Sequence, residues 1–370
     1  MAVVLTVWLG SRQVIPGGNE SVLLTEATRE AEIIPQEVID PLRPIYVALL
    51  GHGGGNHAGG ALADTIMVAQ VVPRQQRVNL FSVPRDLWVE LPLTRSSESD
   101  EPMWSKINST LAIGSSSKQY TWRSEEYQGT HGGGALAKKV LGDVLGQPID
   151  YYIAVDFSGF VKLIELLGGK EGLSINVPYS FVDEYYPIEG EEDNTCGFSE
   201  DDIATMSATL SGFELEKQFT CRFERLEFNA GKQMITPEQL LKFVRSRHAA
   251  VGGSDFARSQ RQQVVLEAIK KKLWNVKTIP KVPAIAAQAI KIVRTDIDVD
   301  LVSKVLTDYG DISEFELKSY VLDNKTYLQD GRSRDGQYIL RPRAGEGDYH
   351  EIHEWVLQAL EASGEAEMEK

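Results

Sequence analysis

Apolar and polar positions fall into short blocks along the chain, and the first clear block is Ile45-Tyr46-Val47-Ala48-Leu49-Leu50, stopped by Gly51. A continuous run of this length predicts a strand buried on both faces. Two further strands are predicted over residues 65–71 and 77–83, separated by a turn around Pro73. Leu136, Val140, Leu141 and Leu145 recur at helical spacing over 133–145, and Gly146 and Pro148 close that helix. Tyr151 to Phe157 reads as strand, Ser158 as the cap of a helix through Phe160, Leu163, Ile164 and Leu167, and Leu173 to Val177 as a half-buried strand. Thr236-Pro237-Glu238-Gln239 forms a capping box with proline at the first helical position, so a helix starts there, and extended backbone is expected at Phe243 to Arg247. Helices are expected from Ser254, again between Pro280 and Leu306 and over 350–360, with a strand at 315–322. Strand and helix take turns, which predicts an α/β sandwich around a central sheet.

The flanks carry less pattern. Ala2 to Gly10 is apolar but far shorter than the roughly 20 residues a bilayer crossing needs, and no basic region precedes it. It ends at Arg12 and reads as the outer end of a truncated anchor, against the alternative of an edge strand or frayed terminus; residues 1–41 are then expected to be anchor remnant and linker, 42–361 one domain, and 362–370 a disordered acidic tail. Charge narrows the function: 38 Lys and Arg stand against 53 Asp and Glu, a net charge of -15, which argues against a general grip on nucleic acid. Cys196 and Cys221 are the only cysteines and form no Cys-x-x-Cys pair, so zinc and thioredoxin-like chemistry find no support. Nine acidic residues and no Lys or Arg between Asp183 and Asp202 predict a solvated, exposed insertion.

Candidate chemistry gathers in four places. Pro84 forces Ser82-Val83-Pro84-Arg85-Asp86 out of its strand and delivers Arg85 and Asp86 to the sheet's edge, where open α/β sheets bind ligands. A simple local ion pair or turn is the competing explanation of these two residues. In extended backbone Arg245 and Arg247 project the same way, and two such forks suit the oxygens of a diphosphate, unless acidic residues of the insertion neutralise them. Asp255, Arg258 and Gln262 share one helical face with Arg261 beside it, at a helix start that favours anions. Lys270-Lys271-Lys272 reads as a solvated helix end. The glycine-rich loop 51–60 lacks the spacing of a P-loop or a Rossmann turn, and Asp64, which follows it, is a carboxylate suited to Mg²⁺ beside phosphate oxygens.

Taken in order, Asp64-Thr65, Ser82 to Asp86, Lys106-Ile107-Asn108, Gly146 to Tyr152, Arg245-Ser246-Arg247 and Asp255 with Arg258, Arg261 and Gln262 resemble the LytR–CpsA–Psr family from about residue 44 to 275. The resemblance implies a three-layer αβα sandwich with a central mixed sheet and an apolar pocket for a polyprenyl chain. It further implies a phosphotransferase on the extracytoplasmic face of the bacterial membrane, moving a phosphate-linked glycopolymer from polyprenyl pyrophosphate to a peptidoglycan or other wall glycan hydroxyl. Arg85, Asp86, Arg245, Arg247 and Asp255 are then the catalytic candidates. Arg85, Lys106, Arg245, Arg247, Arg258, Arg261 and Gln262 are the pyrophosphate-binding candidates. Asp64 is the expected ligand for Mg²⁺ or Mn²⁺. Relatives carry an aspartate where this chain has Gly53, so His52 stands as a substitute ligand. An extracytoplasmic domain implies a disulfide between Cys196 and Cys221. The alternatives are a phosphohydrolase on the same lipid, in which water is the acceptor, and a non-catalytic lipid- or glycan-binding protein. A transcription regulator is disfavoured by the acidic charge.

Overall fold

A computed structural model describes residues 43–54, 60–94, 96, 98, 100–116, 118–249, 253, 255–273, 282–298 and 314–361, excepting the side chains of 255, 256, 282 and 283. The anchor remnant and linker expected over 1–41, the apolar positions at 302–306 and the expected tail lie outside the described residues. So does the side chain of Asp255.

The chain begins with β1 (Ile45–His52), β2 (Ala63–Val72), β3 (Arg77–Ser82), β4 (Trp88–Thr94) and β5 (Pro102–Lys106). Helices α1 (Thr110–Ser115) and α2 (Gly132–Leu145), strand β6 (Tyr151–Asp156) and helix α3 (Phe157–Gly168) follow. A lobe is built from β7 (Leu173–Val177), β8 (Phe181–Pro187), α4 (Glu200–Ser207), α5 (Phe213–Glu216), β9 (Phe223–Phe228), β10 (Gly231–Ile235) and α6 (Pro237–Arg245). The chain returns through α7 (Asp255–Leu273), α8 (Val282–Ile292), β11 (Arg294–Thr295) and β12 (Glu316–Val321) to a hairpin of β13 (Leu328–Arg332) and β14 (Tyr338–Pro342) and a last helix, α9 (His350–Glu361).

Six strands make the central sheet in the order β11-β6-β1-β2-β3-β12. It is mixed: β1 runs parallel to β6, β3 parallel to β12, and β2 antiparallel to both neighbours. The apolar run at 45–50 is central, and its alternate side chains feed two layers. Tyr46, Ala48 and Leu50 pack with Leu136 and Val140 of α2 and Val356 of α9. Val47 and Leu49 pack with Leu163 of α3, Leu266 of α7 and Ala286 of α8. The result is a three-layer αβα sandwich, as the alternation and the resemblance imply. Asp150, before β6, sets that strand's register on β1 by accepting from Tyr46 N at 2.8 Å. A third cluster, with Phe181, Phe228 and Phe243, binds the lobe to the inner face of α7 through Val265 and Ile269.

Four local expectations are corrected. The cap of α3 is Asp156, whose Oδ1 accepts from Gly159 N at 2.7 Å and from the Ser158 hydroxyl at 2.9 Å. Residues 243–247 are not a strand: α6 continues to Arg245 and the chain turns out at Ser246 (φ -50, ψ 133). The acidic run does not begin as a solvated excursion, since Asp183 lies in β8 with no exposure at all. Lys270 is half-buried and donates to Phe315 O at 2.5 Å, whereas Lys271 is exposed as expected.

Candidate active site

One half of the site is assembled from strand ends. Asp64 is the second residue of β2, and the turn after β3 carries Arg85 and Asp86. Pro84 ends the ladder, and the chain around Lys106 then grips the turn: Ile107 N donates to Leu87 O at 2.8 Å and Asn108 N to Arg85 O at 3.3 Å. Side chains continue the grip in a line of alternating charge. Lys106 Nζ lies 2.7 Å from Asp86 Oδ1, Arg85 Nε 3.5 Å from Asp86 Oδ2, and Arg85 Nη1 2.5 Å from Asp64 Oδ1. Arg85 and Asp86 do form the local ion pair that competes with a binding role, but the pair continues at its far end into a longer network.

That end meets the other half of the site. Arg247 Nη2 reaches Asp64 Oδ1 at 3.5 Å, from a segment leaving the C-terminus of α6. Three groups hold this segment. The buried Asp183 Oδ2 accepts from the Ser246 hydroxyl at 2.6 Å and from the backbone N–H of Arg247 and of His248, both at 3.2 Å. Arg261, fully buried, donates to Phe243 O at 2.9 Å and Ser246 O at 2.5 Å. The His248 ring stacks on Phe213 of α5 at 3.9 Å. Arg245 itself lies over the Phe157 ring at 3.7 Å, a cation–π contact. Arg261, expected at the pyrophosphate, lies beneath the loop, with its Nη1 also 3.4 Å from the Tyr179 hydroxyl, and lines neither of the adjacent cavities.

Two cavities open beside these charges. The first, about 170 Å³, is almost wholly apolar, walled by Leu49, Met67, Leu163, Leu241 and Leu266, with Arg245 among its lining residues. A Cβ at Gly51 in this wall would sit 3.1 Å from Thr65 Cβ, tighter than an ordinary contact. The second, about 200 Å³, mixes polar and apolar groups and includes Asp64 and Arg258. Thr65 and Gln262 line both, and Gln262 donates to the Thr65 hydroxyl at 3.1 Å, so this one contact forms the partition. Arg85 and Arg247 meet at Asp64, while Arg245 and Arg258 flank the partition from opposite cavities.

The donor set does not fit a divalent ion held by the protein alone. Among the described residues no three His, Cys, Asp or Glu side chains form a ligand cluster. Asp64 is engaged by two guanidiniums, Asp86 by Arg85 and Lys106, and Asp156 by its capping bonds. His52 is no substitute. Its Nδ1 lies 3.1 Å from Gly60 O and its Nε2 3.1 Å from Arg294 Nη2. Arginine can only donate, so Nε2 accepts, Nδ1–H donates, and the neutral ring has no lone pair left for a metal. Burial pushes its pKa down, in keeping with that neutral state, and the Arg294 charge acts in the same direction.

Sequence reasoning missed Asp183, Asp156 and Arg294, which reach the site or its supports only through contacts distant in the chain. The Cys196–Cys221 bridge is present, with Cα atoms 5.6 Å apart, and closes the part of the lobe that carries α4 and α5.

The architecture defines an αβα protein with an apolar cavity whose lining includes Arg245. The profile of the LytR_cpsA_psr family matches residues 21–346, and the chain belongs to that family. It is similar to "Regulatory protein MsrR" of Staphylococcus aureus, 27% identical over 285 residues, which is 77% of this chain and 66% of MsrR. It is also similar to "Polyisoprenyl-teichoic acid--peptidoglycan teichoic acid transferase TagU" of Enterococcus faecalis, 24% identical over 318 residues, covering 85% and 82% of the two chains. The crystal structure of TagV from B. subtilis superposes with a TM-score of 0.54 at 20% identity, over 87% of this chain and 97% of TagV, and shows the shared fold.

Proposed function

We propose that the protein transfers a phosphate-linked glycopolymer from a polyprenyl pyrophosphate to a hydroxyl of peptidoglycan or another wall glycan. The carrying observation is the direct junction of the apolar cavity with cations: Arg245 at its lip on Phe157, and the Arg85–Asp64–Arg247 cluster across the Thr65–Gln262 partition. An isoprenoid tail suits the cavity, and a diphosphate offers enough oxygens for several guanidinium forks. The printed name of TagU, a polyisoprenyl-teichoic acid transferase, supports the same reading.

The acceptor hydroxyl attacks the phosphorus on the glycan side of the pyrophosphate. The bond from that phosphorus to the bridging oxygen breaks, and polyprenyl phosphate leaves. Negative charge grows on the leaving phosphate, where Arg245 and Arg247 stabilise it without reorganisation. Before substrate arrives, Asp64 keeps Arg85 and Arg247 together by neutralising both. Once phosphate oxygens take over those contacts, its carboxylate accepts the proton of the attacking hydroxyl. Asp86 and Lys106 position Arg85.

The proposed chemistry calls for a site of action at the extracytoplasmic membrane surface, where lipid-linked glycan and wall meet, and the Cys196–Cys221 bridge supports that reading, since disulfides persist in oxidising compartments. Among the described residues no helix is long and apolar enough to cross a membrane. The test is product analysis after incubation with a polyprenyl-pyrophosphate saccharide and a wall-glycan oligosaccharide. Polyprenyl phosphate together with a new phosphodiester on the acceptor is expected. Free glycan phosphate despite acceptor in excess would establish a phosphohydrolase, and binding without any product a lipid-binding protein.

A further inference from the structure

Asp64 owes its place to a slip in the sheet. Gly51 of β1 pairs with Thr65 of β2, but the next residue, His52, pairs with Ala63, so Asp64 is the extra residue of a bulge and has no partner in the ladder. A bulge re-aims the side chain of its extra residue, and it keeps that aim only while the pairing on both sides holds. Beyond Asp64 the ladder has one pair left, His52 with Ala63. We infer that Arg294, on the edge strand β11, is a positioning residue for Asp64 that acts through the His52 ring; its consequence for catalysis rests on the transfer reading.

The contacts run from β11 across β6 to β1. Side chains fasten β11 to its neighbour: the Thr295 hydroxyl donates to Tyr152 O at 2.6 Å, Asp296 Oδ1 accepts from Tyr152 N at 2.9 Å, and Asp296 Oδ2 lies 2.5 Å from Lys138 Nζ of α2. From this base the Arg294 guanidinium spans β6. Its Nη1 donates to the Ser115 hydroxyl at the end of α1 at 3.2 Å, and its Nη2 to His52 Nε2 at 3.1 Å. A guanidinium has no lone pair to offer, so it admits only the tautomer of His52 that keeps its proton on Nδ1. That proton is the one donated to Gly60 O at 3.1 Å, and Gly60 O also accepts from Gly54 N at 2.8 Å. Gly54 has a φ of +99°, a conformation suited to glycine, so the chain can turn back to this carbonyl. The two ends of the glycine-rich segment thus meet at one oxygen, just before Ala63 and Asp64.

The opposite tautomer would aim an N–H at the guanidinium and a lone pair at Gly60 O, so both hydrogen bonds of the ring would fail together. His52 is only 7% exposed, which keeps water from replacing either partner. Arg294, the ring, the closed segment and the bulge therefore act as one unit, and the Asp64 carboxylate is the part of it that meets Arg85 and Arg247.

The experiment compares wild type with Arg294→Met, which keeps an unbranched side chain without donors, and Arg294→Lys, which keeps a donor. In nitrogen NMR of protein carrying isotope-labelled histidine, wild-type His52 should show a protonated Nδ1 and an acceptor Nε2. Arg294→Met should show the two nitrogens averaged between tautomers, with faster hydrogen exchange at the Gly54 amide, and Arg294→Lys should keep the wild-type pattern. In steady-state transfer, Arg294→Met should lower kcat about tenfold while the KM of the lipid-linked donor changes less than about twofold, because a displaced base slows proton transfer and leaves tail binding intact. Arg294→Lys should recover most of that loss. An unchanged kcat in a variant that turns over, or a rise in donor KM as large as the fall in kcat, overturns the positioning role and leaves the transfer reading standing. Should Arg294→Met fail to fold, Ser115→Ala, which frees one arm of the guanidinium, carries the same test: smaller changes of the same kind support the role, and no change in either readout refutes it. If wild type transfers nothing, the transfer reading fails alone. The NMR then decides, and a His52 tautomer and Gly54 exchange rate identical in Arg294→Met and wild type refute the inference.

Discussion

The two halves of the cationic site differ in how they are held. Asp64, Arg85, Asp86 and Lys106 project from strand ends, and their mutual pairs are partly open to water, with side chains 21% to 38% exposed. Arg247 hangs on a segment whose supports are buried: Asp183, Arg261 and the aromatic core around Phe243. On the proposed transfer reading the charges of the strand half serve function, and they contribute little to folding, because exposed ion pairs are worth about 1 kcal/mol or less. In the lobe half the same residues that fix the arginine also hold the packing. Replacing charges in the two halves should therefore separate stability from activity in opposite ways.

The largest effect is expected at Asp183. Asp183→Ala strands a hydroxyl and three backbone N–H groups, those of Tyr185, Arg247 and His248, and loss of such a buried charged acceptor costs on the order of 3 kcal/mol or more, read as a lowered urea midpoint together with lost transfer. If Asp183→Ala retains wild-type stability, the buried clamp is misassigned. Next is the disulfide: the cysteines are 25 positions apart, and reducing a loop of that length removes on the order of 3 kcal/mol in the chain-entropy model. Urea titration with and without reductant measures it, and transfer should weaken as α5 and its Phe213–His248 stack loosen. Arg261→Lys should cost about 2 kcal/mol of stability, since an ammonium cannot reproduce the fork onto two carbonyl oxygens. Arg245→Ala should cost about 2 kcal/mol in pyrophosphate binding, with Lys rescuing only in part; calorimetric titration reads both. Asp64→Asn sharpens the contrast, with a stability change of about 1 kcal/mol or less but a fall in kcat of about a hundredfold or more, the range of general-base loss. A matching loss of stability there would erase the distinction between the halves.

Proton linkage adds a smaller effect. Burial holds His52 below its ordinary value of 6.5, so below that pH the unfolded chain takes up a proton that the folded ring resists. Stability should be constant from this source above pH 6.5 and decline as the pH falls beneath it. His52→Gln should flatten that part of a stability–pH profile.

The same contrast decides which residues are legible in the sequence. Strand ends follow from local rules: Pro84 must leave a ladder, so Arg85 and Asp86 are marked as a sheet-edge pair by pattern alone, whereas Asp64 is marked only as a carboxylate after a glycine-rich loop and joins them through the resemblance. Arg245 and Arg247 are recognisable as a pair, but the extended backbone expected of them is wrong, because α6 runs on to Arg245 and tertiary contacts bend the chain at Ser246. Asp183 is hidden in an acidic run whose other members are mostly solvated, and nothing local marks the one that turns inward. Arg258 and Arg261 share a helix and a residue type, yet one lines a cavity and the other is buried beneath a loop, a difference set by packing against Phe243 and Ser246.

The central claim is that the apolar cavity holds an isoprenoid whose pyrophosphate lies on the arginines at its lip. A polyprenyl pyrophosphate carrying a photoreactive group in its tail tests this most directly, with labelled sites located by mass spectrometry. Crosslinks in the segments of β1, α3 and α7 that include Leu49, Leu163 and Leu266 are predicted, reduced strongly in Arg245→Ala and in a probe lacking the pyrophosphate. Labelling that falls instead on exposed apolar positions such as Trp122 or Leu357, or that is unaffected by removing the pyrophosphate, would contradict it.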